Sequence, residues 1–155
     1  MSGTGNRESL FHQTVLIDKT PLPPSIPSVP EVGATSAPLM SASFFIGDRC
    51  SAYSDDYMLC KHESGGKGEI DCLKEGRRVT RCAVSVLDDL NKHCLAEFRA
   101  HWSCLDNNNQ QMWHCRTQEK PLNDCVFKSL GLRKVIPDTP KGRIPIHEQA
   151  FQRFK

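Results

Sequence analysis

The chain has 155 residues, of which 38% are hydrophobic and 25% charged, and its formal net charge is +2. This length allows one ordinary domain or two small ones, but no large core. The twenty basic residues form no long run, and no apolar stretch approaches the roughly 18 to 20 residues that span a bilayer, so neither nucleic-acid binding nor a transmembrane segment is indicated.

Residues 1–43 are predicted to be an extended N-terminal arm without a core. Each of its six prolines removes a backbone donor and pushes the preceding residue toward extended geometry. Two basic and three acidic residues in its first forty positions do not resemble an Arg-rich transit peptide or a secretory signal. Composition favours a solvated tail; the alternative is a strap that orders against a partner, anchored at Val15, Leu16 and Ile17.

The middle of the chain is predicted to be helical, because no proline lies between Ser41 and Lys120 and helix-forming residues are common there. Glycines at residues 61–71 and asparagines at residues 106–110 indicate turns between helices. Residues 72–105 form either one long helix or two helices with a bend, and both possibilities stay open. The predicted units are a first hairpin at residues 44–88 and a second hairpin at residues 89–130.

The last segment, residues 131–155, contains three prolines and has six basic residues against two acidic ones. Proline interrupts regular helix, and unbalanced charge favours hydration of the side chains. We therefore expect an extended basic C-terminal tail that is either solvated or bound to a partner.

Eight cysteines divide in chain order into four pairs, each enclosing nine residues. On an α-helix a step of ten residues rotates by about 1000° and rises by about 15 Å, which leaves both thiols on roughly one face. Each interval is therefore predicted to be a helix with a thiol near each end. The residues predicted to pack together along the same stripe are Tyr53, Tyr57, Val79, Leu95, Phe98, Trp102 and Leu105.

The pairing of the cysteines is predicted from helix geometry, since eight cysteines allow 105 connectivities by count alone. Helices joined by short connections usually pack antiparallel, so the start of one helix lies level with the end of the next. Each resulting disulfide contributes about 3 kcal/mol by restricting the unfolded chain. The predicted bonds are Cys50–Cys82, Cys60–Cys72, Cys94–Cys125 and Cys104–Cys115.

Other chemistry for these residues is disfavoured. Zinc sites, copper delivery and thiol oxidation use cysteines that are close together in sequence, and no C-x-C or C-x2-C occurs here. Surface or helix-capping roles are predicted for His93, His101 and His114. Trp102 is predicted to pack in the core, whereas core and interface roles are equally favoured for Trp113. We predict no catalytic residue, no cofactor and no metal site, and an oxidising compartment.

Paired helices with this cysteine spacing resemble the CHCH family, the coiled-coil-helix-coiled-coil-helix proteins. The resemblance implies an all-α fold of two tandem disulfide-stapled hairpins, here flanked by Pro-rich arms. It also implies entry into the mitochondrial intermembrane space without a presequence, with the disulfide import machinery as a transient partner. Short sequence motifs around the cysteines resemble those of family members that are accessory subunits of respiratory complex I. These motifs lie at residues 57–60, 72–76, 92–94, 102–106 and 124–126.

That likeness implies a non-catalytic subunit, peripheral on the intermembrane-space face of the inner membrane, whose partners are other complex I subunits. Two alternatives stay open: a CHCH assembly factor, for instance of cytochrome oxidase, and a thiol-disulfide or metallochaperone enzyme with a labile cysteine pair. One departure from the pattern is Pro121, inside the fourth C-x9-C interval. It could kink that helix or begin a new turn at its first position.

Overall fold

The computed structural model describes residue 21, residues 23–65 and residues 68–149. The predicted strap anchor at Val15, Leu16 and Ile17 lies outside these residues. The described part of the chain contains helices and no strands, which confirms the all-α prediction. None of its helices has the length and apolar character needed to cross a membrane. The helices are α1 (Ser36–Glu63), α2 (Gly68–Asp71), α3 (Leu73–His93), α4 (Leu95–Asn107) and α5 (Arg116–Ser129), with a 3-10 turn at Met112–His114.

Helix α1 begins at Ser36, so the last eight residues of the predicted arm are helical. Pro38 does not prevent this, because it lies in the first turn, where the backbone N–H has no partner within the helix. Gln110 Nε2 donates a hydrogen bond to Ser36 Oγ at 2.5 Å, and buried Ala37 packs on Leu105. The N-terminal half of α1 therefore lies on the second hairpin, and its C-terminal half pairs with α3 in the first.

The chain from residue 72 to residue 105 contains two helices. Cys94 separates α3 from α4 with non-helical dihedral angles, φ −132° and ψ 36°. Its N–H still bonds to Leu90 O, and its carbonyl accepts from Phe98 N, each at 2.9 Å, so few backbone groups lose their partner at the bend. The boundary placed between residues 88 and 89 falls inside α3, because no glycine or proline occurs between residue 77 and the bend.

Helix α5 continues through Pro121, which lies in its second turn and not at its start. Proline has no N–H to donate to Thr117, so one helical hydrogen bond is absent there. The ring of Pro121 is exposed, which keeps it away from neighbouring helices. The prediction that Pro121 could begin a new turn is wrong, since the helix starts five residues earlier, at Arg116.

Both hairpins contribute to one main core, so they do not form separate domains with cores of their own. Its centre contains Phe45 of α1, Leu90 of α3, Phe98 of α4 and Leu122 of α5. Residues 51–81, the outer half of the first hairpin, contribute no side chain to either cluster found in the described residues. The buried members of the main core are Ala42, Phe45, Cys50, Val86, Leu87, Leu90, Cys94, Phe98, Leu122 and Val126.

The segment 131–149 is fastened to the helices at a few residues, of which Lys134 and His147 are buried, while most of its side chains are exposed. A left-handed Gly131 (φ +64°) turns the chain after α5. Arg133 N then donates to Asp48 Oδ2 at 2.8 Å, and the side chain of Lys134 is buried. The N-terminal arm also contributes, because Val32 and Ala34 pack partly buried against the main core.

Candidate functional site

The structure brings together the four cysteine pairs named above. Their Cα atoms lie 5.8 to 6.0 Å apart, and all eight cysteines are bonded. In every pair one residue is fully buried and the other is partly exposed. Thiol-disulfide exchange requires access of a thiolate to a sulfur atom, so this burial favours a structural role for the bonds. The buried members are Cys50, Cys72, Cys94 and Cys115.

His101 is buried, and its predicted surface or capping role is wrong. Ser41 Oγ on α1 lies 2.7 Å from His101 Nδ1 on α4, so the contact joins two helices. Burial lowers the pKa of His101 from 6.5 to about 4; Glu119 opposes this shift, and Lys134 and Arg116 add to it. The imidazole is therefore neutral near pH 7. Its helical spacing carried the signal, since His101 lies three residues after buried Phe98 and four before buried Leu105.

Glu119 is the centre of a buried charge cluster that sequence reasoning did not find. Arg116 Nη1 donates to its Oε2 at 2.5 Å, and Lys134 Nζ donates to its Oε1. Burial alone would raise the pKa of Glu119, but these hydrogen bonds and the two positive charges outweigh it and lower the pKa. Both carboxylate oxygens are engaged by cations, so the group is held ionised and is poorly suited to proton transfer.

Lys134 and His147 carry this cluster into the C-terminal segment. Burial lowers the pKa of Lys134, Glu119 partly opposes the shift, and Arg116 adds to it because two cations share one carboxylate. Lys134 Nζ also lies 4.7 Å from the ring centroid of Phe44, in cation–π geometry. His147 is buried as well, and burial lowers its pKa. The arrangement fastens the segment to α1 and α5.

The remaining candidate residues lie at the surface or at the edge of the core. His93 and His114 are exposed, and Trp102 is partly buried against the main core. Trp113 is 66% exposed and makes a tilted contact with His114. Leu95 and Tyr53 from the predicted apolar stripe are also exposed, so only part of that stripe packs inward. In the ranges that the structure covers, no three His, Cys, Asp or Glu side chains are grouped so as to hold a metal ion.

Comparison with known proteins identifies relatives of this chain. Residues 94–128, the second hairpin, match the CHCH domain family. Over 137 residues the chain is 64% identical to the NADH-ubiquinone oxidoreductase 20.8 kDa subunit of Neurospora crassa, covering 88% of this chain and 75% of that protein. Over 95 residues it is 31% identical to the NADH dehydrogenase [ubiquinone] 1 alpha subcomplex subunit 8-A of Arabidopsis thaliana, covering 61% of this chain and 86% of the relative. Subunit 8-B of the same plant is 30% identical over 95 residues.

Proposed function

The chain belongs to the CHCH-containing family of NADH-ubiquinone oxidoreductase subunits that includes the Neurospora crassa 20.8 kDa subunit, and we propose that it is a non-catalytic accessory subunit of respiratory complex I. The observation that carries this proposal is the 64% identity over 88% of the chain. The chain works as a scaffold whose rigid surface holds neighbouring subunits in place.

The chemistry of the described residues supports a structural role. Eight cysteines are bonded, each bond has one buried member, and the most perturbed carboxylate is held between Arg116 and Lys134. None of these groups is poised to exchange electrons or protons with a substrate. The subunit stabilises the complex and takes no part in electron transfer.

We further propose that the chain lies in the mitochondrial intermembrane space, peripheral on the inner membrane. Four disulfides require an oxidising compartment, and that space adjoins the membrane in which complex I lies. Formation of the four bonds during entry makes the disulfide import machinery a transient partner. Peptide mapping under non-reducing conditions tests the pairing: each of the four predicted cross-linked peptide pairs is expected, and any exchanged pair would contradict the proposed framework.

Native-gel separation of gently solubilised mitochondrial membranes, followed by mass spectrometry along the lane, tests the subunit assignment. Co-migration of this chain with NADH dehydrogenase activity at constant stoichiometry is expected. A profile confined to small species would contradict the assignment and favour an assembly factor. Protease treatment tests the location: the chain should be degraded after rupture of the outer membrane and protected before it, with a matrix protein as control.

A further inference from the structure

The first hairpin carries a basic groove on the side where α1 and α3 pair. We call this the arginine groove. It has a volume of about 580 Å³ and runs beside the Cys50–Cys82 disulfide, outside the main core. The side chains that line it are Arg49, Tyr53, Arg78, Arg81, Cys82 and Ser85.

The charges of this groove are only partly balanced. Arg49 Nη1 forms an ion pair with Asp89 Oδ2 at 2.7 Å. Arg78 and Arg81 are exposed, and no carboxylate among the residues that the structure describes forms an ion pair with either guanidinium. Glu75 lies three residues before Arg78, in the first turn of α3, yet forms no such pair. Two guanidinium groups therefore face the groove without an anionic partner from the described chain.

The position of these arginines is unfavourable for the isolated helix. Arg81 lies three residues after Arg78 and four after Arg77, spacings at which like charges repel on a helix surface. A negatively charged partner bound along the groove would offset this repulsion between the arginines.

The lining of the groove suits a carboxylate-bearing peptide better than a phospholipid. Planar guanidinium groups bind carboxylates and phosphates alike, but a lipid also needs exposed apolar surface beside them for its acyl chains. The exposed apolar Met58 lies five residues after Tyr53, about 140° around α1, and so points away from the groove. The groove lies between α1 and α3 and is open to solvent, so a peptide segment can lie in it.

We propose that the arginine groove docks an acidic polypeptide segment of a neighbouring subunit. This inference rests on the proposed function, because it names the surface through which the chain binds within the complex. Carboxylates of the segment pair with Arg78 and Arg81, and Arg49 exchanges part of its contact with Asp89 for the incoming chain. Attachment at this groove is then sensitive to ionic strength.

Substitution of Arg78→Gln together with Arg81→Gln in the full chain tests the groove, with the exposed pair Lys92→Gln and Lys120→Gln as matched control. Each version is expressed in cells that lack the chain, and its amount in complex I is measured on native gels at rising salt. We expect the groove variant to be retained about tenfold less well than wild type, and the control to behave as wild type. Thermal unfolding of each oxidised protein monitors folding, and the groove variant should melt no lower than wild type.

The outcomes separate the two proposals. Wild-type chain absent from complex I would overturn the proposed function itself. If the wild-type chain is present in complex I and the groove variant is retained up to the same salt concentration, only the groove proposal is overturned. Equal loss of the Lys92→Gln/Lys120→Gln control from the complex would also overturn it. The wild-type chain and the groove variant are also mixed with phosphatidylcholine vesicles that contain cardiolipin. If only the wild-type chain binds the vesicles while both assemble equally into complex I, the groove binds lipid and the acidic-peptide proposal is overturned.

A photo-crosslinking residue identifies the occupant directly. Tyr53→p-benzoylphenylalanine places the reactive group on the groove wall without removing an arginine. After irradiation of the purified complex, we expect the cross-linked peptide to come from another subunit and to carry several Asp or Glu residues. A cross-linked peptide without acidic residues would overturn the proposal.

Discussion

Lys134 Nζ donates a hydrogen bond to Glu119 Oε1 in an ion pair whose two side chains are each 2% exposed. Glu119 belongs to α5, whereas Lys134 belongs to the irregular C-terminal segment, so the pair fixes that segment to the helices. Removing both ions from water is costly, and the second hydrogen bond from Arg116 helps to offset that cost. Loss of one partner should therefore destabilise the protein more than replacement of both partners by neutral side chains.

Substitution of Lys134→Met should lower the free energy of unfolding by about 3 to 5 kcal/mol, because it leaves the carboxylate buried with one cation fewer. The double variant Glu119→Gln/Lys134→Met should lose less than the sum of the two single variants. Urea unfolding of the oxidised proteins at pH 7 measures both effects. Exposed Lys141→Met, in the same segment, is the control. A loss for Lys134→Met no greater than that of the control would contradict the prediction.

The stability of the protein should decrease as pH falls from 6.5 to 4, because the pKa of His101 is about 4 when folded and 6.5 when unfolded. The unfolded chain binds more protons throughout that window. The stabilisation linked to His101 is therefore fully present above pH 6.5, and the free energy of unfolding falls by about 3 kcal/mol by pH 4. His147, whose pKa is also lowered, adds to the decline, and Glu119 adds to it below its ordinary value of 4.5.

Urea unfolding at a series of pH values isolates the part due to His101. His101→Gln should flatten the dependence between pH 6.5 and 4, whereas His62→Gln, on the exposed surface of α1, should keep the wild-type slope. A His101→Gln variant whose stability falls as steeply as that of wild type would mean that other groups cause the decline.

Phe45 is expected to be one of the most sensitive residues of the core. It is buried, and its ring packs edge-on against Phe127 with centroids 6.4 Å apart. Phe45→Ala should cost about 3 to 5 kcal/mol, while Met58→Ala, on the exposed outer hairpin, should change stability by no more than about 0.5 kcal/mol. Urea unfolding followed by circular dichroism and by tryptophan fluorescence should show one coincident transition. Separate transitions would indicate that the hairpins do not share one core.

The two ends of the first hairpin should respond differently to loss of a disulfide. Cys60→Ala/Cys72→Ala removes a bond beside residues that contribute to no cluster, so hydrogen exchange should increase mainly within residues 51–81. Cys94→Ala/Cys125→Ala removes a bond whose first cysteine lies in the main core, so exchange should increase in α3, α4 and α5 together. Mass spectrometry of exchanged peptides distinguishes the patterns. Increased hydrogen exchange in α4 or α5 of the Cys60→Ala/Cys72→Ala variant would contradict the prediction that the two ends respond separately.

The cysteine spacing predicted the helical architecture because a periodic residue reports directly on the face of a helix. The start of α1 was harder to place: six prolines indicated an extended arm, yet Pro38 is compatible with helix in the first turn. The shared core was also missed, since nothing local shows that the residues before Cys50 lie on the second hairpin.

The buried charge cluster was out of reach of sequence reasoning. Glu119 and Lys134 are fifteen residues apart and lie on different types of structure, so no helical or strand period relates them. Segment 131–149 looked solvated because Lys and Arg usually are, and only the tertiary fold provides Lys134 with its carboxylate. The burial of His101 could have been predicted, because its spacing from Phe98 and Leu105 places it on the buried face of α4. The general preference of histidine for surfaces led to the wrong prediction.

Residues 51–81 contribute no side chain to either apolar cluster, and this has a consequence for which substitutions the protein can tolerate. Two disulfides help to hold this half of the hairpin in shape, so most of its exposed positions can accept new residues at a cost within about 0.5 kcal/mol. Sequence drift there can alter which neighbour is recognised while the folded scaffold stays the same.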